Sequence, residues 1–312
     1  MTAPPGRVLA LDVGGGTIKA AFVGRDGALA GRARRATGRD RGADAVVATV
    51  LDVAAELTAG APAPPPAVGV AAPGIVDETA GVAELSATIG WRDVPLRRLL
   101  EERLGLPVAL GHDVRAGAVA EARAGAGRAA GDFVFVAIGT SIGAAVVIDG
   151  RPYPGAHWRG GELGHLVVRP GGGPCGCGQR GCLDTLASGA ALADRYRTAS
   201  GGALGGAAGA LEVVRRARDG EPAALAVWHE AIEALADALL MCSALLDPAA
   251  VVLGGGLACC GETLLTPLRR ALGRRATFHA PPAIVGARLG DEAGCVGAGL
   301  LAWDLLDARE PR

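Results

Sequence analysis

Residues 7–23 read RVLALDVGGGTIKAAFV. An apolar run, a glycine-rich turn and a second run of small and β-branched residues predict a β-hairpin. The turn holds Asp12, Gly14, Gly15, Gly16 and Thr17. Glycine amides carry no side chain to keep the oxygens of an anion away, and a carboxylate and a hydroxyl stand beside them. The turn is neither a Walker loop nor a dinucleotide fingerprint, because no Gly-Lys-Ser/Thr follows and the next element is a strand rather than a helix. Taken alone it serves equally as a tight hairpin turn and as an anion site.

The same theme returns more than a hundred residues later, at 132–151, DFVFVAIGTSIGAAVVIDGR. Its turn includes Gly139 and Thr140. Two such hairpins predict an internally duplicated α/β architecture, two packed halves with a cleft between them. Turns in matching places shift the reading of both towards phosphate binding. Between the hairpins the sequence predicts a helix over 44–58, with Val46, Val50, Val53 and Leu57 on one face and Asp44 as its cap. GAPAPPPA (60–67) is a surface connector, since its prolines cannot continue a helix. AVGVAAPGIVD (67–77) is a buried strand running into a loop, VPLRRLLEERL (94–104) a helix, PVALGHDV (107–114) a strand, and the segment from 114 a further helix. Beyond residue 183 come mostly helices, a long one near 221–246 among them. They are followed by the strand and loop AAVVLGGGLACCGE (249–262), a strand near 283–288 and a terminal helix from about 293.

Composition narrows the function classes. At 312 residues the chain has room for two domains and a sizeable core. With 50% apolar and 20% charged residues it reads as a soluble globular protein, and a net charge of −1 provides no field to draw in nucleic acid or an acidic membrane. No secretory signal or bilayer-spanning run is read from it, and the seven cysteines form no paired framework, which points to a reducing cytoplasm.

Two constellations carry chemistry. In GHDVRAG, Asp113 stands between a strand and a helix, where a carboxylate at a cleft mouth can take a proton from a substrate hydroxyl. On local signals a plain N-cap is the stronger reading there. In GHLVVRPGGGPCGCGQRGC (164–182), His165, Cys175, Cys177 and Cys182 supply four ligands, enough for closed tetrahedral zinc. A closed shell leaves no site for an activated water, so the metal is expected to be structural, bracing a glycine-rich loop. The spacing is not that of a DNA-reading finger.

Together these segments resemble the ROK family of bacterial sugar kinases and sugar-responsive repressors, within the actin-like phosphotransferase superfamily. The resemblance runs through DVGGGTIKAAFV, GVAAPGIVD, SATIGWRDVPL, GHDVRAGAVAEA, GTSIGAAVVIDGRPYPG, GGELGHLVV, CGCGQRGCLDTLASG, VVLGGGLA and GCVGAGLLA. It implies a two-domain actin-like (duplicated ribonuclease H-like) α/β fold with a cleft between the domains and a structural zinc loop. The first domain is expected over 1–112, joined by the C-terminal helix at 293–312, and the larger second domain over 113–292. The resemblance further implies ATP-dependent phosphorylation of a hexose, glucose first, to the 6-phosphate, with Asp113 as the general base. ATP and Mg²⁺ would meet Asp12, Gly14, Gly15, Gly16 and Thr17 from one domain, and Gly139, Thr140, Gly254 and Gly255 from the other. Sugar hydroxyls would be held by Gly74, Thr88, His112, Glu162, His165 and Asp184, with His165 also a zinc ligand. Homodimers or homotetramers are implied too.

Four departures from the family pattern stand out. Gly16 replaces a threonine, Thr88 and His112 each replace an asparagine, and Asp184 replaces a glutamate. The last three fall on the sugar side. They leave an N-acetylglucosamine or N-acetylmannosamine kinase and a non-catalytic sugar-binding regulator as alternative readings. Polyphosphate is an alternative donor because the donor site is mostly backbone. A DNA-binding repressor is disfavoured, since eleven residues ahead of Asp12 are too few for a helix-turn-helix segment.

Overall fold

The computed structural model describes residues 6–202 and 209–309. The described residues divide into two compact units. One comprises residues up to Gly125, Pro154–Gly160 and the chain from Glu292; the other comprises Ala126–Tyr153 and Gly161–Asp291.

In the first unit the opening hairpin is β1 (Val8–Val13) and β2 (Thr17–Val23), followed by β3 (Leu29–Ala36) and α1 (Ala43–Ala59). Next come β4 (Val68–Ala72), the short strands β5 (Ile75–Asp77), β6 (Val82–Leu85) and β7 (Arg92–Val94), α2 (Leu96–Leu104), β8 (Val108–His112) and α3 (Asp113–Ala124). The main sheet runs β3-β2-β1-β4-β8, with antiparallel hairpin strands on one side and β1, β4 and β8 parallel. The strands β5, β6 and β7 form a separate small sheet.

Alternation along β1 sorts its side chains onto two faces. Leu9, Leu11 and Val13 pack with Val46, Val50 and Val53 of α1, each large buried side chain contributing roughly 1.5–3 kcal/mol. Val8 and Ala10 face the other way, onto Ala298, Ala302 and Trp303 of the C-terminal helix Ala293–Asp307. Small residues bring that helix close. A Cβ on Gly69 would lie 1.8 Å from the Ala298 carbonyl oxygen, so no side chain fits there. Asp44 does not cap α1; Gly42, in a left-handed backbone, takes the N-cap and Asp44 lies within the first turn.

The second unit repeats the plan with β9 (Phe133–Ile138), β10 (Ile142–Ile148) and β11 (Arg151–Tyr153), then α4 (Asp184–Ala187), α5 (Gly189–Ala199), α6 (Ala210–Arg218) and α7 (Pro222–Leu246). Then come β12 (Ala250–Gly254), α8 (Glu262–Arg275) and β13 (Ala283–Gly286), which makes the C-terminal helix of the first unit α9. Its sheet order, β11-β10-β9-β12-β13, and the sense of every pair match the first sheet strand for strand. Its core gathers Val134, Val136, Ile138, Val251 and Leu253 against α5 to α8.

The boundary between the units differs from the expected one at 112/113: α3 stays with the first unit. The reason is packing. Gly297 of α9 meets α3 so closely that a Cβ there would lie 1.9 Å from the Ala116 carbonyl oxygen. No helix among the described residues is long and apolar enough to cross a membrane.

Candidate active site

In the first unit the parallel strands β1, β4 and β8 are in register, with Asp12 opposite Ala71 and Ala72 opposite His112. Their carboxyl ends therefore share one edge of the sheet, the edge where α/β folds bind ligands. That edge carries Asp12 and the first glycine turn, the Gly74 loop, and His112 with Asp113.

The turn from Gly14 to Thr17 is closed by the Gly14 amide donating to the Thr17 carbonyl at 3.0 Å. It is strapped from behind by Thr37, which is fully buried. The Thr37 hydroxyl donates to the Gly14 carbonyl at 2.8 Å and its amide donates to the Gly16 carbonyl at 3.1 Å. Both carbonyls are thus drawn to one side by Thr37. Asp12 pairs with Lys19 at 3.5 Å, and its carboxylate fills the space that a Gly294 side chain would need, at the start of α9, where helix amides favour an anion. Thr88 belongs to the same place. A Cβ on Gly15 would lie 2.4 Å from the Thr88 methyl group, so the two are in contact. Gly74 is required by its backbone, with φ of 96° and the Leu85 carbonyl oxygen 2.1 Å from where a Cβ would sit.

At the junction of β8 and α3 the N-cap is His112 rather than Asp113. The His112 Nδ1 accepts from the Arg115 amide at 3.4 Å, and its Nε2 lies 3.2 Å from the Asp113 Oδ1. Both ring nitrogens therefore face the junction itself. That oxygen of Asp113 also accepts from the Val114 amide at 2.7 Å. The Asp113 side chain is 31% exposed and otherwise walled by protein. Burial pushes its carboxyl up to about 6, against the opposing pull of the Val114 amide and the Arg115 charge.

Arg115 and Glu78 had no sequence signal. Arg115, 3% exposed, donates through Nε to Glu78 Oε1 at 2.8 Å, through Nη1 to the Trp158 carbonyl at 3.2 Å and through Nη2 to the Val76 carbonyl at 3.1 Å. The same Glu78 oxygen accepts from the His112 amide at 3.0 Å.

In the second unit, Gly139 closes its turn by donating to the Ser141 carbonyl at 3.0 Å, and the Gly139 and Thr140 carbonyls accept from the Gly189 and Ala190 amides that begin α5. Gly254 pairs with Ala137, and Gly255 has φ of 79° with no room for a Cβ beside Ile138. The second glycine turn and the Gly254–Gly255 loop are therefore neighbours.

Glu162 precedes the tight turn Leu163–His165, and its carbonyl accepts from the His165 amide at 3.0 Å. Asp184 begins α4, and its Oδ1 accepts from the Ile142 amide at 2.7 Å, tying α4 to β10. Burial raises the Asp184 carboxyl, opposed by the Ile142 amide and by His165.

The four soft ligands converge. One donor atom from each of His165, Cys175, Cys177 and Cys182 lies within 4.8 Å of all the others. The His165 Nδ1 to Cys175 Sγ distance is 3.6 Å, and the Cys177 and Cys182 sulfurs are 3.7 Å apart. Zinc bonds of about 2.3 Å to sulfur and 2.0–2.1 Å to nitrogen, set tetrahedrally, call for separations of about 3.4–3.8 Å between donors. Both of these pairs fall in that range, and the set is compatible with that ion. The loop is also pinned by backbone: the Val168 and Arg169 amides both donate to the Gly181 carbonyl, and the Cys175 amide donates to that of Gln179.

The chain is similar to known proteins over nearly its whole length. The family model described as ROK family matches residues 8–304. A glucokinase of Thermotoga maritima is 32% identical over 308 residues, 95% of this chain and 96% of that protein. The crystal structure of a ROK hexokinase from Thermus thermophilus is 34% identical and covers 97% of this chain and 99% of its own, with a TM-score of 0.84. That of a ROK family glucokinase from Streptomyces griseus, in complex with glucose and AMPPNP, is 31% identical and covers 96% and 100%, with a TM-score of 0.85.

Proposed function

The chain belongs to the ROK family and is a sugar kinase, and on that premise we propose that it transfers the terminal phosphoryl group of ATP to a hexose, glucose first, with Asp113 as the general base. The observation that carries this reading is the Asp113 carboxyl, at the carboxyl end of β8 and raised by burial to about 6. A general base works best when its pKa lies near the operating pH. In the reaction the 6-hydroxyl oxygen forms a bond to the terminal phosphorus, its proton passes to Asp113, and the bond from that phosphorus to the leaving ADP oxygen breaks.

Phosphoryl transfer asks for alignment and charge neutralisation more than for covalent help. In this reading the amides of Gly14 to Thr17 receive phosphate oxygens, with Thr37 keeping the turn in shape, and Gly139, Thr140, Gly254 and Gly255 contact the nucleotide. Asp12 offers the hard oxygen that suits a Mg²⁺ keeping most of its waters, and the ion, when bound, offsets phosphate charge. Sugar hydroxyls fall to the Gly74 loop, Thr88, Glu162, His165 and Asp184. His165, whose Nδ1 faces Cys175, would hold the zinc together with Cys175, Cys177 and Cys182 and keep Nε2 for a hydroxyl. The metal would brace the loop and supply no step of the transfer. His112 acts on the sugar through Asp113.

The test is one coupled assay over glucose, mannose, N-acetylglucosamine and N-acetylmannosamine, each with ATP and with polyphosphate. Glucose with ATP is the pair expected to turn over fastest. Preference for an N-acetylated sugar would move the substrate, preference for polyphosphate would move the donor, and binding without turnover would make the chain a sugar sensor.

A further inference from the structure

We propose that Arg115, gripped by Glu78, is a positioning residue for this reaction: it fixes the junction on which Asp113 stands and sets, through its charge, the pH at which that carboxylate accepts a proton. The inference rests on Asp113 being the base.

The geometry is that of a clamp. A guanidinium nine-tenths or more out of water must place its donors, and Arg115 places them on three different segments: Val76 on β5, Glu78 in the turn after it, and Trp158 in the segment Pro154–Gly160. Trp158 is held in a left-handed backbone (φ 58°), and its ring lies under the guanidinium at 5.7 Å. Glu78 completes the clamp, because the oxygen that takes the Arg115 Nε also takes the His112 amide. The backbone on both sides of Asp113 is therefore fixed by one ion pair. Arg97 of α2 in turn clasps the carbonyls of Glu78 and Thr79, and Asp77 accepts from the Thr79 and Ala80 amides, so the turn carrying Glu78 is itself braced.

The same pair controls charge. His112 stands beside Asp113, and Arg115 is the cation that opposes the effect of burial on its carboxyl. The other charged groups on the packed elements are engaged elsewhere or lie further along. Glu121 is buried on α3 where it meets Gly125, Arg123 of α3 pairs with Asp304 of α9, Asp12 pairs with Lys19, and His157 and Arg159 flank Trp158 in sequence. Removing one member of the pair leaves the other uncompensated, and the two removals have opposite signs. Arg115→Gln leaves Glu78 facing the junction and makes Asp113 harder to ionise. Glu78→Gln leaves the guanidinium unopposed and makes Asp113 easier to ionise.

The experiment is the pH profile of kcat/KM for wild type, Arg115→Gln, Arg115→Lys and Glu78→Gln. The acid limb is expected to move up by roughly one unit in Arg115→Gln and down by a few tenths or more in Glu78→Gln, while Arg115→Lys, which keeps the charge but not the fork, holds the limb and loses kcat. Shifts in the same direction for the two glutamine variants, or none, would overturn the proposal and leave the pair a structural one. If Arg115→Gln does not fold, Glu78→Gln and Arg115→Lys still decide it. The carboxyl-carbon NMR titration of Asp113, identified by its loss in Asp113→Asn, reads the same shifts without substrate. Opposite NMR shifts in a protein that phosphorylates no sugar would uphold the clamp while refuting the kinase reading.

Discussion

The junction at His112–Arg115 and the loop from His165 to Cys182 face one problem, holding side chains still in irregular backbone, and they meet it with different chemistry. The junction draws on distance: Arg115 reaches 37 residues back to Glu78 and 43 forward to Trp158. The loop draws on proximity, with four donors within eighteen positions of sequence and within 4.8 Å in space. An ion pair between a buried guanidinium and a half-buried carboxylate is a costly brace, since Arg115 loses its water and becomes a liability if Glu78 is removed. A closed zinc shell would need few neighbours, which suits GGGPCGCGQRG, where few side chains are present to pack. The junction can therefore be tuned electrostatically, whereas the loop is either braced or not.

Disabling the loop should have the largest effect. Cys182→Ser, or removal of metal by a chelator, is expected to lower zinc from about one per chain to none, with loss of sugar binding and a large fall in Tm, because structural zinc contributes on the order of 10 kcal/mol in small zinc domains. Metal analysis with thermal unfolding checks it, and full activity in metal-free protein would show that the loop holds itself. Breaking the junction should cost less. Glu78→Ala leaves a buried guanidinium unpaired, and chemical denaturation is expected to show a loss of roughly 3 kcal/mol, with zinc content unchanged. A loss below 1 kcal/mol would mean that the carbonyls of Val76 and Trp158 suffice.

Acidity separates the regions further. The Asp113 carboxyl is raised to about 6 in the folded chain from 3.8, so protonation would disable the proposed base while favouring the folded form. The rate is expected to fall about tenfold per unit below pH 6. The Asp113 contribution to stability has the opposite sense: it is fully present below pH 3.8 and is lost as pH rises through about 6. A flat rate between pH 7 and 5 would remove Asp113 from the role of base. The smallest effect is expected at the first turn. Thr37→Val deletes the bond to the Gly14 carbonyl, worth about 1 kcal/mol, and should raise the KM for ATP severalfold while leaving sugar affinity unchanged. Equal weakening for both substrates would make Thr37 a general core residue.

What could be read beforehand follows from the range of each signal. The paired hairpins were legible because alternation and glycine punctuation are local, and the observed sheets repeat one strand order. The convergence of His165, Cys175, Cys177 and Cys182 was legible because the four cluster in sequence. The clamp was not: Arg115 lies inside a helix of small residues and its partner is 37 positions away. Thr37 was missed for the same reason, 23 residues from the carbonyl it holds. The sheet β5-β6-β7 escaped because strands of three or four residues carry too few alternations to show a period. Asp113 was placed at the head of its helix, but the capping role belongs to His112, whose ring is an uncommon cap.

The most direct test of the account is phosphoryl transfer from ATP to glucose by Asp113→Asn, with sugar binding measured by calorimetry on the same preparation. The account predicts a loss of at least roughly 10²–10⁴ in kcat with sugar affinity within a few fold of wild type. Turnover close to wild type, or the disappearance of binding together with turnover, would contradict it.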